Sequence, residues 1–109
     1  MPIWKVAPVE EQPEVSLMSW AVFEVTHPDG KVKRHFAGYN IVDDEGRVSS
    51  FIVEWDPEKR RGRTESGRIY ELVGKRASLG SAPMYVWNQW VDMLNPKEVK
   101  DISSEYEGR

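Results

Sequence analysis

Between residues 19 and 74 the chain alternates strand-like segments with turn signals. Each segment is rich in β-branched and aromatic residues, which are typical of β-strands. Each break contains a Gly, which allows the positive φ angle that tight turns require. The pattern predicts an antiparallel meander with the strands Ser19–Thr26, Val32–Val42, Arg47–Trp55 and Arg68–Val73.

A fifth, shorter strand fits the same scheme. Arg63–Glu65 can pair with the last of these strands across the Ser66-Gly67 turn. Within the second strand, Gly38 favours a local bend or a bulge.

Both faces of these strands carry apolar side chains. In the first strand Trp20 and Val22 lie on one face, and Phe23 and Val25 lie on the other. A sheet with one face in water alternates apolar with polar residues, so both faces here must be covered. Either the sheet curls strongly and closes on itself, or it stays open with a helix on one face and the N-terminal arm on the other.

Apolar residues recur at helical spacing near the C-terminus, in a stripe formed by Met84, Trp87, Trp90, Val91 and Leu94. Ser81 is a suitable N-cap, and Asn95-Pro96 ends the helix. The sequence thus predicts an amphipathic helix over Ser81–Asn95 that packs on the sheet. The predicted fold class is α+β: a strongly twisted antiparallel meander of four or five strands with one C-terminal helix on a face.

A chain of 109 residues has the size of one domain. Residues 1–16 are rich in Pro and Glu and are predicted to form a flexible arm, whose Trp4 either docks on the sheet or stays in solvent. Residues 17–96 are predicted to form the α+β domain. Residues 97–109 are mostly charged and are predicted to fray.

Composition narrows the function classes. The formal charge of −3 argues against a surface dominated by nucleic-acid binding, although a local basic patch is compatible with it. The chain contains no Cys, which excludes disulfides and thiolate chemistry. With no visible signal peptide or apolar span, a soluble cytoplasmic protein is expected.

Two groups of residues are candidate binding contacts. The first is a basic loop with a Trp before it, formed by Trp55, Lys59, Arg60, Arg61 and Arg63. Its cations could hold phosphates, or they could simply keep the loop solvated. The second is a strand face formed by Arg47, Arg68 and Tyr70.

The second group also has two interpretations. Convergence of Arg47, Arg68 and Tyr70 would form a cationic spot able to hold a carboxylate or phosphate. Alternatively, Arg68 stacks on Tyr70 and pairs with Glu24 or Glu54 on a neighbouring strand.

No constellation for catalysis, metal binding or cofactor binding is recognisable. His27 and His35 lack a second His, Cys or carboxylate at usable helical or hairpin spacing, so they are assigned structural roles. We therefore expect no catalytic residues, no cofactor and no metal, and we expect that the protein is not an enzyme.

Ser66–Gly74, together with the Trp-rich stretch Tyr85–Trp90, resembles a group of small bacterial proteins of unknown function. These proteins carry a Ser-Gly-Arg-x-Tyr-x-Leu-x-Gly segment and a Trp-rich C-terminal helix, and the Arg47-Val48-Ser49-Ser50 stretch fits the same pattern. The resemblance spans about Ser19 to Leu94. It implies a bacterial origin and a stand-alone domain, and it brings no activity.

These observations favour a small non-catalytic binding or regulatory module. Its expected contacts are the loop from Trp55 to Arg63 and the face of Arg47, Arg68 and Tyr70, and its expected partner is an unidentified protein or an anionic ligand. The alternative is a nucleic-acid-binding protein that uses the loop from Lys59 to Arg63. A homodimer paired through a sheet face or edge is a further option, and no membrane contact is expected.

Overall fold

Six strands and one helix make up the part of the chain that the computed structural model describes, residues 13–77 and 82–107. The elements in chain order are β1 (Glu14–Thr26), β2 (Val32–Asn40), β3 (Glu45–Asp56), β4 (Arg61–Thr64), β5 (Ile69–Leu72), α1 (Ala82–Leu94) and β6 (Glu98–Asp101). A short 3₁₀ turn over Ser103–Tyr106 follows β6. The α+β fold class is therefore confirmed.

The first five strands form a ring. Strands β1 to β5 pair as an antiparallel meander, and β5 then pairs with the beginning of β1. Because the meander has an odd number of strands, its first and last strands run in the same direction, and the closing pair is parallel. Of the two predicted arrangements, the sheet that closes on itself is the one observed. The predicted fifth strand is confirmed as β4, which begins two residues earlier than expected.

Strand β1 is the longest strand and pairs with three others. It lies along β2, its first residues pair with β5, and its last residues pair with β6. A register shift opposite Gly38 separates these parts, and Ser19 there has a φ of 46°. A Cβ at Gly38 would lie 3.0 Å from the Cβ of Leu17, so the missing side chain favours the close approach of the two strands at the bulge.

The inner face of the ring holds one hydrophobic core. Strands β1, β2 and β5 contribute its buried strand residues, Ile52 and Trp55 of β3 pack against it, and two residues that follow β6 complete it. Its buried members are Val15, Leu17, Trp20, Val22, Phe36, Tyr70, Leu72, Ile102 and Tyr106.

A second core lies on the outer face, beneath α1. The Trp87 indole stacks on Phe23 of β1 with ring centroids 4.0 Å apart, and Trp90 stacks on Trp87 at 5.0 Å. The predicted apolar stripe is confirmed, since Trp87, Trp90, Val91 and Leu94 pack against this core. Ser81 and the side chain of Met84 lie outside the described residues. No helix in the described ranges is long and apolar enough to cross a membrane.

Both ends of the chain depart from the sequence prediction. β1 begins at Glu14, so residues 14–16 of the predicted flexible arm belong to the sheet, and residues 1–12 with Trp4 lie outside the described residues. For the described part of the segment predicted to fray (residues 97–109), the prediction is wrong, because β6 pairs with β1 and the following turn buries Ile102 and Tyr106 in the inner core. These two side chains supply the apolar surface that ties a mostly charged segment to the ring.

Candidate functional site

The loop between β3 and β4 is ordered by Asp56. Its Oδ1 atom accepts hydrogen bonds from the backbone amides of Glu58 (3.0 Å) and Lys59 (3.3 Å). Arg60 then adopts a φ of 56°, which turns the chain back into β4. The loop that the sequence predicted to be a candidate contact thus has a defined shape.

An open cleft of about 780 Å³ lies beside this loop. The residues that line it are Glu14, Glu54, Trp55, Asp56, Pro57, Lys59, Arg61, Gly62, Arg63 and Ile69. Four of the predicted contacts, Trp55, Lys59, Arg61 and Arg63, are therefore brought together in one place.

Trp55 lies at the boundary between the cleft and the inner core. Its ring packs against Tyr106 (centroids 4.8 Å apart) and Phe36 (5.9 Å), while part of the residue lines the cleft. An indole held in this way presents a rigid, half-buried apolar wall, and it loses little conformational entropy on contact with a ligand.

Two arginines of β4 point into the cleft because of the residue between them. A Cβ at Gly62 would lie 2.4 Å from Cζ of Phe36, so position 62 faces the inner core and positions 61 and 63 face outward. The Nε atom of Arg63 lies 2.8 Å from Oε1 of Glu54, and Arg61 forms an ion pair with Glu14.

These ion pairs give the cleft a balanced charge. The hydrogen bond from Arg63 lowers the pKa of the Glu54 carboxyl and raises the pKa of Arg63, so both remain charged around neutral pH. The lining contains three cations and three carboxylates. The cleft is therefore polar and neutral overall, with an apolar wall formed by Trp55, Pro57 and Ile69.

Arg60, unlike Lys59, Arg61 and Arg63, does not line the cleft. Its guanidinium lies 5.3 Å from the centre of the Trp20 ring, and its Nη2 atom is 3.5 Å from the carbonyl oxygen of Gly74. The basic run that is continuous in the sequence is therefore divided, with Arg60 bound to a different part of the molecule.

The second predicted surface does not form an exposed spot. Arg47, Arg68 and Tyr70 are 1%, 5% and 2% exposed, and none of them lines the cleft. Tyr70 belongs to the inner core. Arg47 lies with its Nη1 atom 4.0 Å from Oδ2 of Asp43. Contrary to the sequence-based interpretation, these residues are part of the buried framework.

The carboxylates considered as partners for Arg68 bind elsewhere. Glu24 accepts a hydrogen bond from Nε of Arg34 at 3.2 Å, and Glu54 accepts one from Arg63. The interpretation that Arg68 stacks on Tyr70 and pairs with Glu24 or Glu54 stays a prediction.

A histidine pair is the feature that sequence reasoning missed. The Nε2 atoms of His27 and His35 lie 3.0 Å apart, so the statement that neither has a second His at usable spacing is wrong. The two residues are not direct cross-strand neighbours, since His35 faces Phe23 and His27 follows the end of β1. One feature of the sequence could have indicated this contact. Residues 23, 25 and 27 lie on the same side of an extended chain, and that is the side on which His35 lies opposite Phe23.

His35 is 3% exposed, and burial lowers its pKa to about 4 despite the hydrogen bond between Nδ1 and the Ser49 carbonyl. The charges of His27 and Lys33 lower it further. His35 is therefore neutral at pH 7. Its Nδ1–H donates to Ser49, which leaves Nε2 to accept a hydrogen bond from His27.

No protein-family model, curated protein or solved structure matches this chain. Within residues 13–77 and 82–107, no group of three or more His, Cys, Asp or Glu residues is arranged to hold a metal ion.

Proposed function

We propose that this chain is a small non-catalytic binding or regulatory module of the bacterial cytoplasm, and that its cleft holds a segment of a partner protein. One observation carries the proposal: the rigid Trp55 indole lies in an open cleft beside two arginines whose carboxylate partners line the same cleft. Apolar walls combined with a few oriented polar groups are typical of binding clefts.

The charge pattern favours a polypeptide as the ligand. Arg61 and Arg63 are already paired with Glu14 and Glu54, so a ligand has to share or exchange these ion pairs. A peptide can offer a carboxylate to an arginine, a cation to a glutamate and an apolar side chain to Trp55.

A nucleic acid is less well matched to this cleft. Binding to a phosphate backbone depends on cations that release counterions. Here the carboxylates that line the cleft equal its cations in number, and Arg60 is directed elsewhere. We therefore treat nucleic-acid binding as an outcome to be distinguished by experiment.

A display selection of random peptides on the immobilised protein tests this proposal. We expect the selected peptides to bind the wild-type chain and to lose at least about tenfold in affinity in the Arg63→Glu variant, which corresponds to about 1.4 kcal/mol. The reason is that the reversed charge repels a peptide carboxylate and lies beside Glu54. Affinities are measured by fluorescence anisotropy of the labelled peptides.

Lys100→Glu serves as the matched control, because Lys100 is an exposed cation of β6 outside the cleft. It should bind the peptides as the wild type does. Equal affinities of the wild-type and Arg63→Glu proteins would contradict the proposal. Retention on heparin that falls steeply with salt and is lost in Arg60→Glu/Arg61→Glu would support the nucleic-acid alternative instead.

A further inference from the structure

Trp90 of helix α1 contacts both histidines. The Trp90 ring lies 4.8 Å from the His35 ring and 6.3 Å from the His27 ring, measured between centroids. Trp90 belongs to the stripe that packs against the outer core. The contact between α1 and this part of the ring therefore depends on the position of both imidazoles.

The contact between His27 and His35 depends on the number of protons that the pair holds. With no added proton, Nε2–H of His27 donates to the lone pair on Nε2 of His35. With one added proton on His27, the same hydrogen bond persists. With two added protons, both Nε2 atoms carry hydrogen, and two donors with like charges face each other at 3.0 Å.

The surroundings offer little to neutralise a second charge. On β2, Lys33 is close enough to lower the pKa of His35. On β3 the contact is the neutral Ser49 carbonyl. On β1 the neighbours are the apolar Phe23 and Val25, while Glu24 is bonded to Arg34.

Four carboxylates lie in nearby elements. On β6, Glu98 lies opposite Thr26 and pairs with Lys100, and Asp101 lies opposite Phe23 and accepts a hydrogen bond from the Ser103 amide. Asp29, in the turn after His27, accepts a hydrogen bond from the Lys31 amide, and interactions with Lys31, Lys33 and His27 lower its pKa. Asp92 is the one charged residue of α1, and it is exposed. None of the four contributes to the pKa of His35, whereas the attraction between Asp29 and His27 favours a proton on His27. A proton added to His35 is therefore not stabilised by these carboxylates.

The two cores of the fold are separate. The inner core is built from the ring strands and the C-terminal turn, and no α1 side chain from Tyr85 onward belongs to it. The α1 side chains with a described place in a core pack in the outer one. Loss of the helix contact therefore leaves the packing inside the ring unchanged.

From this arrangement we propose that His27 and His35 form a proton-operated latch, which holds α1 on the ring at neutral pH and releases it when both imidazoles are protonated. Release exposes an apolar surface that includes Phe23, Ala37 and Val48 on the ring and Trp87 on the helix. Acidification would thus expose a covered apolar face to solvent.

The direction of the pH dependence follows from the lowered pKa of His35. With α1 docked on the ring, His35 binds a proton more weakly than a free histidine, whose pKa is 6.5. Docking of α1 is therefore fully favoured above pH 6.5. It weakens as the pH falls from 6.5 toward about 4, the pKa of His35 in the docked state.

The test is an acid titration of the full chain, followed by near-UV circular dichroism and by the fluorescence of a dye that binds exposed apolar surface. We expect the Trp signal to fall and the dye signal to rise with a midpoint between pH 4 and 6.5. Amide hydrogen exchange by NMR should show Val22 and Phe36 still protected at that midpoint. An unchanged Trp signal over this range, or simultaneous loss of the inner-core protection, would overturn the latch.

Two variants separate the latch from general acid sensitivity. His35→Gln keeps a polar, uncharged side chain and should abolish the transition above about pH 4. His27→Gln alters a residue outside the strands and leaves His35 without a second imidazolium, so its midpoint should fall by about one pH unit. A wild-type midpoint in the folded variant, in either case, would overturn the proposal.

Discussion

Replacing Tyr106 with alanine is expected to lower the free energy of unfolding by about 3–5 kcal/mol, as is typical for a buried aromatic residue. The Tyr106 ring packs 4.8 Å from Trp55 and 6.2 Å from Phe36, and the residue is 6% exposed. Its hydroxyl oxygen accepts a hydrogen bond from Nη1 of Arg34 at 3.2 Å. Urea denaturation, followed by Trp fluorescence, measures the change.

Two further variants identify the source of this effect. Tyr106→Phe keeps the ring and removes the hydrogen bond, so it should cost only about 0.5–1.5 kcal/mol. Ser104→Ala alters an exposed residue of the same turn and should stay within about 0.5 kcal/mol of the wild type. If Tyr106→Ala costs no more than Ser104→Ala, the turn does not belong to the inner core.

Gly62→Ala should destabilise the protein by about 1–3 kcal/mol, because it forces a methyl group into a filled core. The added Cβ would lie 2.4 Å from Cζ and 2.8 Å from Cε2 of Phe36. Phe36 is fully buried, so its ring has no open space to move into. The midpoint of thermal unfolding, together with the urea midpoint, measures the loss.

A smaller residue at position 36 should relieve this clash. In the double variant Gly62→Ala/Phe36→Leu, the total loss should be smaller than the sum of the two single losses by about 1 kcal/mol. Gly67→Ala is the matched control, since a Cβ there has no neighbour within 4 Å and only the φ of +92° opposes it. In the double variant Gly67→Ala/Phe36→Leu, the total loss should therefore equal the sum of the two single losses. If the losses in Gly62→Ala/Phe36→Leu also simply add, the proposed clash is contradicted.

The secondary structure could be predicted because its signals are local. The turn at Asp29-Gly30 and the spacing of Trp87, Trp90 and Leu94 each involve residues close together in the chain. The alternation of side chains along β1 also predicted that Trp20 and Val22 lie on one face and Phe23 and Val25 on the other. The first two are in the inner core and the last two in the outer core.

The closure of the ring and the role of the C-terminal segment could not be predicted. Closure depends on the pairing of Glu14–Leu17 with Ile69–Leu72, and no local pattern encodes that register. In the C-terminal segment the charged residues outnumber the apolar ones, so Ile102 and Tyr106 gave too weak a signal. Burial of these two side chains outweighs the polar composition around them.

Only part of the candidate site could be predicted from the sequence. Trp55, Lys59, Arg61 and Arg63 are close in sequence, and they line the same cleft. Their carboxylate partner Glu14 comes from a distant strand. The contact between His27 and His35 required knowledge of how β1 and β2 lie beneath α1, which side-chain spacing alone does not supply.

The position of β1 has a consequence for biosynthesis. Among the described strands β1 is made first, yet its partner β5 follows only about fifty-five residues later, and β6 later still. At the usual rates of synthesis, one edge of β1 waits for times on the order of seconds with its backbone groups unpaired. The newly made chain is therefore most exposed to aggregation before β5 emerges, and a chaperone that covers β1 during this interval would increase the yield of folded protein.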